Sequence, residues 1–414
     1  LHRVDRRQRQ MCIRDRENTG TITLNNGTLQ VVLQSTGHLS VSYSNPIFVD
    51  AGGGLITARF PQGSSRQKFT FSGSITGSGP LRLRSDGQAF NEGSGIRLSG
   101  NNAGYTGAAQ IVYTWTAPQF TSAQPLNVVW FNSSAAMLSN AASVTVRDGG
   151  ILGVRYSATD GDLANVVAGP RGGIGAEAGS GSLNNVSNPM NYVGPGGFLL
   201  LDYYSSTVDV YGDSSPLALN NNAVRMQGRN AASATKTETV GDMTIAGGSF
   251  VLLASTSNTS GVRIRAANLA TPSAGSSLLI EYGGAGFGNA TQNCTIIVDG
   301  SKPSAVNGMI TPAIQAYRGG NFRGFFVTWD DSNRMIPAMA TSTDINAAGA
   351  NDIVDSGNAT LTSSKTIHAL LLGGTLNVGI GNTLTLGSGG LIMSSNTINN
   401  GTIDFGSTPG VVGA

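Results

Sequence analysis

The sequence predicts an all-β chain wound as a β-solenoid, and three observations lead there: an unusual composition, very short period-two apolar runs, and close spacing of those runs. Gly makes up 58 of 414 residues, about twice the usual share. Charged residues are 12%, about half the usual fraction. Hydrophobic residues stand at 39%, enough apolar material for a core. The polar remainder is mainly Ser, Thr and Asn, which suit turns and strand faces without adding charge.

The alternation is local. Ile22 and Leu24 alternate, then Leu29, Val31 and Leu33, then Leu39, Val41 and Tyr43. The pattern returns at Leu81/Leu83, Ile96/Leu98, Val144/Val146, Met243/Ile245, Val262/Ile264 and Leu278/Ile280. Apolar residues at every second position, bounded by Gly, Asn or Ser, mark half-buried strands. The best helical stretch, Met309 to Arg318, contains Pro312 and is followed by Gly319-Gly320, so it is not expected to form a helix.

Spacing separates a solenoid from a sandwich. Near the C-terminus, strand centres are expected at Leu376, Leu384, Leu391, Ile398 and Ile403, closer than the ~8–12-residue steps of a sandwich. A turn of three such strands takes about 20–25 residues, within the range of stacked repeats. Each turn would add one strand spacing, roughly 4.8 Å. Gly and Asn suit the corners, where the left-handed backbone region is often required.

Four segments follow. Residues 1–16, LHRVDRRQRQMCIRDR, hold six arginines and two aspartates; they resemble a translated sequencing adaptor and are excluded from the fold as a non-native extension. Without them 19 basic and 21 acidic residues remain, and no nucleic-acid partner is expected. Residues 17–112 and 208–414 read as solenoid turns. Residues 113–207 read as irregular: Tyr113, Trp115, Phe120, Trp130 and Phe131 gather in a chain poor in aromatics, before Gly-rich loops that end at Phe198–Leu201.

Residues 98–111, LSGNNAGYTGAAQI, follow GSGPLRLRSDGQAF at 77–90. This stretch resembles the autotransporter-associated β-strand repeat of bacterial surface proteins at Gly77, Gly79, Leu98, Gly100, Asn101, Tyr105, Thr106 and Gly107. Leu83-Arg84-Ser85-Asp86 stands where that family carries Lys-Thr-Gly. Thr237 to Ile245, Ile310 to Ala338 and Ile367 to Phe405 resemble the regions between such repeats. The resemblance implies a right-handed parallel β-helix with irregular insertions, exported to the cell surface or medium as a passenger-like, adhesin-like structural protein. Both ends of a longer protein, including a signal peptide and an anchor, are then expected outside this sequence. Lacking a polar cap after Phe405, the last strand is expected to support end-to-end self-association.

Chemistry is sparse. Cys294, in NCTIIVDG, reads as a small apolar strand residue. His38 and His368 lie far apart in sequence, which argues against a Ser-His-Asp or Cys-His site, and zinc would need more ligands. The Gly runs around Gly286 and Gly379 lack the following helix and Lys-Ser/Thr of a phosphate loop. No catalytic, cofactor or metal residue is assigned. The alternative of a polysaccharide lyase or hydrolase rests on Asp330-Asp331 with Arg334, or on Asp160 and Asp162 with Arg171. A carbohydrate-binding module centred on residues 113–131 is the other alternative. A polysaccharide of the cell surface or matrix is the expected partner, and no stretch approaches the ~18 apolar residues of a membrane span.

Overall fold

The computed structural model describes residues 20–32, 40–59, 68–86, 95–112, 127–203, 208–228, 235–255, 261–283, 286–288, 294–318, 324–393, 396–406 and 410–413. Residues 1–16, His38, Tyr113, Trp115 and Phe120 lie outside them. The chain is all-β. Among the described residues the only helical elements are a four-residue turn, Asp160–Leu163, and two 3-10 turns. Two compact units divide it: Leu1–Ser215 with Asn222–Arg225, and Pro216–Asn221 with Met226–Ala414.

In the first unit, each short alternating run becomes a strand, and each strand pairs with one about three positions further on. The first nine are β1 (Ile22–Leu24), β2 (Gly27–Val32), β3 (Ser40–Tyr43), β4 (Ile47–Val49), β5 (Gly54–Arg59), β6 (Lys68–Phe71), β7 (Ile75–Gly77), β8 (Leu81–Asp86) and β9 (Gly95–Leu98). β1, β4 and β7 pair in parallel; so do β2, β5 and β8, and so do β3, β6 and β9. Strands β10 (Ala108–Val112), β11 (Asn127–Phe131), β12 (Ser143–Arg147), β13 (Gly150–Val154), β14 (Ser157–Thr159), β15 (Val166–Ala168), β16 (Gly173–Glu177), β17 (Ser182–Asn185) and β18 (Phe198–Asp202) follow. The second sheet continues through β10, β12 and β15, and the third through β11, β13, β16 and β18, all parallel. Within residues 113–207, read from the sequence as irregular, the described strands continue the second and third sheets, interrupted by two 3-10 turns, the helical turn Asp160–Leu163 and a register shift between β14 and β17.

Register turns sequence alternation into a core. Leu29, Ile56, Leu83, Ile111, Val146 and Ala168 lie opposite one another through the second sheet. Phe69, Ile96, Val129, Leu152, Ile174 and Leu199 do so through the third, and all twelve are buried. Each buried Leu, Ile or Phe contributes about 1.5–3 kcal/mol relative to exposure, and every rung repeats the contact.

Three of the residues that carry the resemblance, Gly77, Gly79 and Tyr105, meet at one corner. Gly77 has φ of 104° and pairs with Tyr105; a Cβ there would collide with the Val49 carbonyl, and one on Gly79 with the Asp50 carbonyl. The buried Tyr105 hydroxyl lies 2.9 Å from the carbonyl oxygens of both Gly79 and Ala108. Burial pushes it up to about 12. Asn102 accepts from Ile75 N at 2.8 Å and donates to the Ala136 carbonyl, tying three successive stretches together.

In the second unit, Gly248–Ser255, Ser277–Gly283 and Ile314–Arg318 pair in parallel, as do Lys236–Val240, Val262–Ala266 and Thr295–Val298. Ile314–Arg318 is a strand, in keeping with the expectation that no helix forms around Pro312. The parallel order then breaks: Gly324–Trp329 pairs antiparallel with Ile314–Arg318 and with Met335–Pro337. Beyond it, Ile353–Ser356, Lys365–Leu372 and Thr383–Met393 are again parallel.

The C-terminal spacing is corrected in one respect. Leu384 and Leu391 do not centre separate strands; both lie in the 11-residue strand Thr383–Met393. Its pairing shifts register opposite Ile367 and Ala369, which lets Gly387-Ser388-Gly389 bend the strand without ending it. Leu376, Leu384 and Leu391 are buried in one apolar cluster, and Ile398 packs half-buried against it. Leu384→Asp should therefore cost about 3 kcal/mol or more, because it buries an unpaired carboxylate. Thr383→Ala, at a half-exposed position, should cost less than about 1 kcal/mol. Chemical denaturation compares the two; equal losses would contradict the inward assignment of Leu384.

Candidate functional site

A cluster of charged side chains lies at the strand ends of the third sheet in the first unit. Arg97 in β9 stands opposite Trp130 in β11, which stands opposite Gly153 in β13. The missing side chain at Gly153 leaves room for the Trp130 ring. Arg155, just past β13, pairs with the Glu177 carboxylate, donates to Ser180 Oγ at 2.9 Å and lies 5.7 Å from the Trp130 ring centre. Glu177 is 3% exposed and ends β16 opposite Asp202. Burial, reinforced by repulsion from Arg155 and opposed by Glu177, pulls the Arg97 guanidinium down to about 10. A buried ion pair of this kind binds strand ends to one another, and removing either partner leaves the other charged and desolvated. No short motif signals it, because Arg97, Arg155 and Glu177 are joined only by register.

The first sequence-predicted cluster does not assemble. Asp162 is buried and serves its own turn: it accepts from Thr159 N and Oγ1, both at 2.9 Å, and from Ser134 Oγ. Asp160 accepts from Ser187 N at 3.2 Å and from the Tyr192 hydroxyl at 3.0 Å. Hydrogen bonds from Ser187, and secondarily from Tyr192, hold its carboxyl below the ordinary value. Arg171 joins neither; it pairs with Asp148 at 3.1 Å.

The second cluster does assemble, in part. Asp330 and Arg334 close the turn between Gly324–Trp329 and Met335–Pro337. Asp330 Oδ1 accepts from Ser332 N at 2.9 Å and Arg334 N at 2.8 Å, while Oδ2 meets Arg334 Nε at 2.7 Å and Nη2 at 2.6 Å. Burial alone would raise the Asp330 carboxyl, but the Arg334 and Ser332 hydrogen bonds outweigh it and hold the group below 3.8. Asp331 is exposed. Beside this turn Lys302 Nζ lies 5.5 Å from the Trp329 ring centre and donates to Asn333 Oδ1 at 2.8 Å.

The remaining groups are embedded. Trp130 and Phe131 are buried, so neither offers an open ring to a sugar. Cys294 is buried, its thiol 3.3 Å from the Leu253 carbonyl oxygen, and burial pushes it up to about 11. His368 is buried beside Asn307, and burial lowers its pKa below the ordinary imidazole value despite a backbone hydrogen bond with Val306. Among the described residues, no group of three His, Cys, Asp or Glu could hold a metal ion, and no helix is long and apolar enough to cross a membrane.

No family model, no curated protein and no solved structure matches this chain.

The Asp330 turn has a calculable pH signature. Its folded pKa is depressed, so the stabilisation is present above the unfolded value and is lost as pH falls through the folded one. Asp330→Asn should cost about 1–2 kcal/mol at pH 7. The gap from the unchanged chain should close as pH drops below 3.8. Thermal unfolding between pH 7 and pH 2 is the check, and a gap independent of pH would contradict the assignment.

Proposed function

We propose that this chain is part of an exported, surface-exposed structural protein, an adhesin-like right-handed parallel β-helix whose role is extension and display without catalysis. One observation carries the reading: the interval of parallel pairing. Ile22 stands opposite Ile47, and Ile47 opposite Ile75; Gly27 stands opposite Gly54, and Gly54 opposite Leu81. Strands that return in parallel every 25–28 residues, through three separate sheets, suit a chain winding round one core. A parallel crossover of this kind is right-handed in about 98% of cases.

Such a winding does its work by repetition. Each round lengthens the body by about 4.8 Å. Stability rests on ladders and backbone pairing and needs no disulfide, since Cys294 is buried and unbridged. The non-catalytic part of the proposal draws on how the carboxylates are used. Asp162, Asp330 and Glu177 accept hydrogen bonds or ion pairs from their own turns and strand ends, where a hydrolase would hold two carboxyls open to substrate.

Location is the decisive test. Antibodies raised against residues 17–414 should label intact, unpermeabilised cells of the producing organism, or its culture medium. Labelling that appears only after lysis would overturn the proposal. A companion assay on acidic polysaccharides should give no turnover, and turnover abolished by Asp331→Asn would overturn the non-catalytic part.

A further inference from the structure

The outward face of the second sheet in the first unit carries an unbalanced positive charge. Alternation that sends Leu81, Leu83, Ile111, Val144 and Val146 into the core sends Arg82, Arg84, Gln110, Thr145 and Arg147 the other way. Arg82 lies opposite Gln110, and Gln110 opposite Thr145. Arg147 Nη2 reaches Gln110 Oε1 at 3.4 Å. At the corner beyond, Arg147 and Arg171 share a single carboxylate, Asp148, at 3.6 and 3.1 Å. Arg82 is exposed, and no ion-pair partner is found for it among the described residues. Leaving aside Arg84, which has a partner of its own, Arg82, Arg147 and Arg171 stand against the single carboxylate of Asp148 among the described side chains of this face, in a chain with only 12% charged residues.

We infer that this face docks an anionic polysaccharide, one that bears carboxylate or sulfate groups at regular intervals. Guanidinium is the side-chain group best matched to either anion, because its planar fork donates two parallel hydrogen bonds. Spacing agrees with the charge. β8 and β12 are separated by β10, so the arginine rungs are two strand spacings apart, about 10 Å, comparable to the rise of one disaccharide in an extended glycan. Between them Gln110 and Thr145 offer an amide and a hydroxyl to sugar hydroxyls. A single-stranded nucleic acid fits less well, because binding one without sequence preference needs aromatic rings on which bases stack, and β8, β10 and β12 carry none.

The inference names a partner for the adhesive role and rests on that reading. Its test uses the purified chain, so failure to bind would leave the surface location untouched. Binding is measured by titration against polygalacturonate, heparin, neutral dextran and single-stranded DNA at low and high salt. Polygalacturonate, heparin or both should bind and be released by salt, whereas dextran should not bind. Arg82→Gln with Arg147→Gln should weaken binding by about tenfold or more, as expected when two anion contacts are lost. Arg265→Gln, which alters an exposed arginine in the second unit paired with Asp299, should leave affinity unchanged. The single variant Arg82→Gln, at an exposed position with no ion-pair partner among the described residues, reports the same loss in smaller measure if the double variant unfolds. The inference is overturned if neither polysaccharide binds, if the Arg82 variants bind as well as the unchanged chain, or if DNA binds as tightly and responds to the same substitutions.

Discussion

Most of the described strands depend on parallel pairing with strands distant in sequence. A three-residue strand such as Ile22–Leu24 has no stability alone; it exists because Ile22 N donates to Pro46 O and Asp50 N to Leu24 O, both at 2.8 Å. The same contact recurs one step on, where Ile47 N donates to Ser74 O at 2.8 Å. Each such bond is worth only about 1 kcal/mol net. The pairing also sets register, and register puts one aliphatic residue over another. A slip of one residue would turn Leu29, Ile56 and Leu83 outward together, so hydrophobic burial and hydrogen bonding enforce the same alignment.

Polar groups inside this frame act as fasteners. Asn102 ties residues 75 and 136 to its own corner. Asn165 Nδ2 donates to the carbonyls of Leu138 and Ala141 at 2.9 and 2.8 Å. Each supplies partners to backbone groups that a turn would otherwise leave unsatisfied. The Arg155–Glu177 pair does the same with charge at the ends of β13 and β16. Asp162 and Asp330 likewise serve their own turns.

Much of the fold was legible in the sequence, and the limits have physical causes. Alternation over three to five residues depends only on local geometry, so Ile22/Leu24, Leu81/Leu83 and Val144/Val146 were readable as strands with one inward face. Gly77 and Gly79 were visible as motif glycines, though the Val49 and Asp50 carbonyls that require them belong to another stretch of chain. Leu384 and Leu391 were misread as separate strands because Gly387-Ser388-Gly389 looks like a break; only pairing with Lys365–Leu372 shows that the strand bends and continues. The direction of Gly324–Trp329, antiparallel to Ile314–Arg318, was not legible, because apolar alternation does not depend on strand direction. Of the clusters suggested by proximity in sequence, Asp330 with Arg334 survived because four residues of turn join them. Asp160 and Arg171 did not, because the fold sends each to a different neighbour.

The central claim is that residues about 25 positions apart stand side by side on parallel strands, and it can be tested where two side chains already touch. Ser157 and Ser182 lie opposite one another in β14 and β17, their hydroxyl oxygens 3.1 Å apart. In a chain carrying Cys12→Ser, with Cys294 buried, the substitutions Ser157→Cys and Ser182→Cys should form an intramolecular disulfide on mild oxidation. Peptide mapping by mass spectrometry should find residues 157 and 182 in one cross-linked peptide from the monomer. Thiols that stay free, or that link only between molecules, would contradict the pairing on which the account rests.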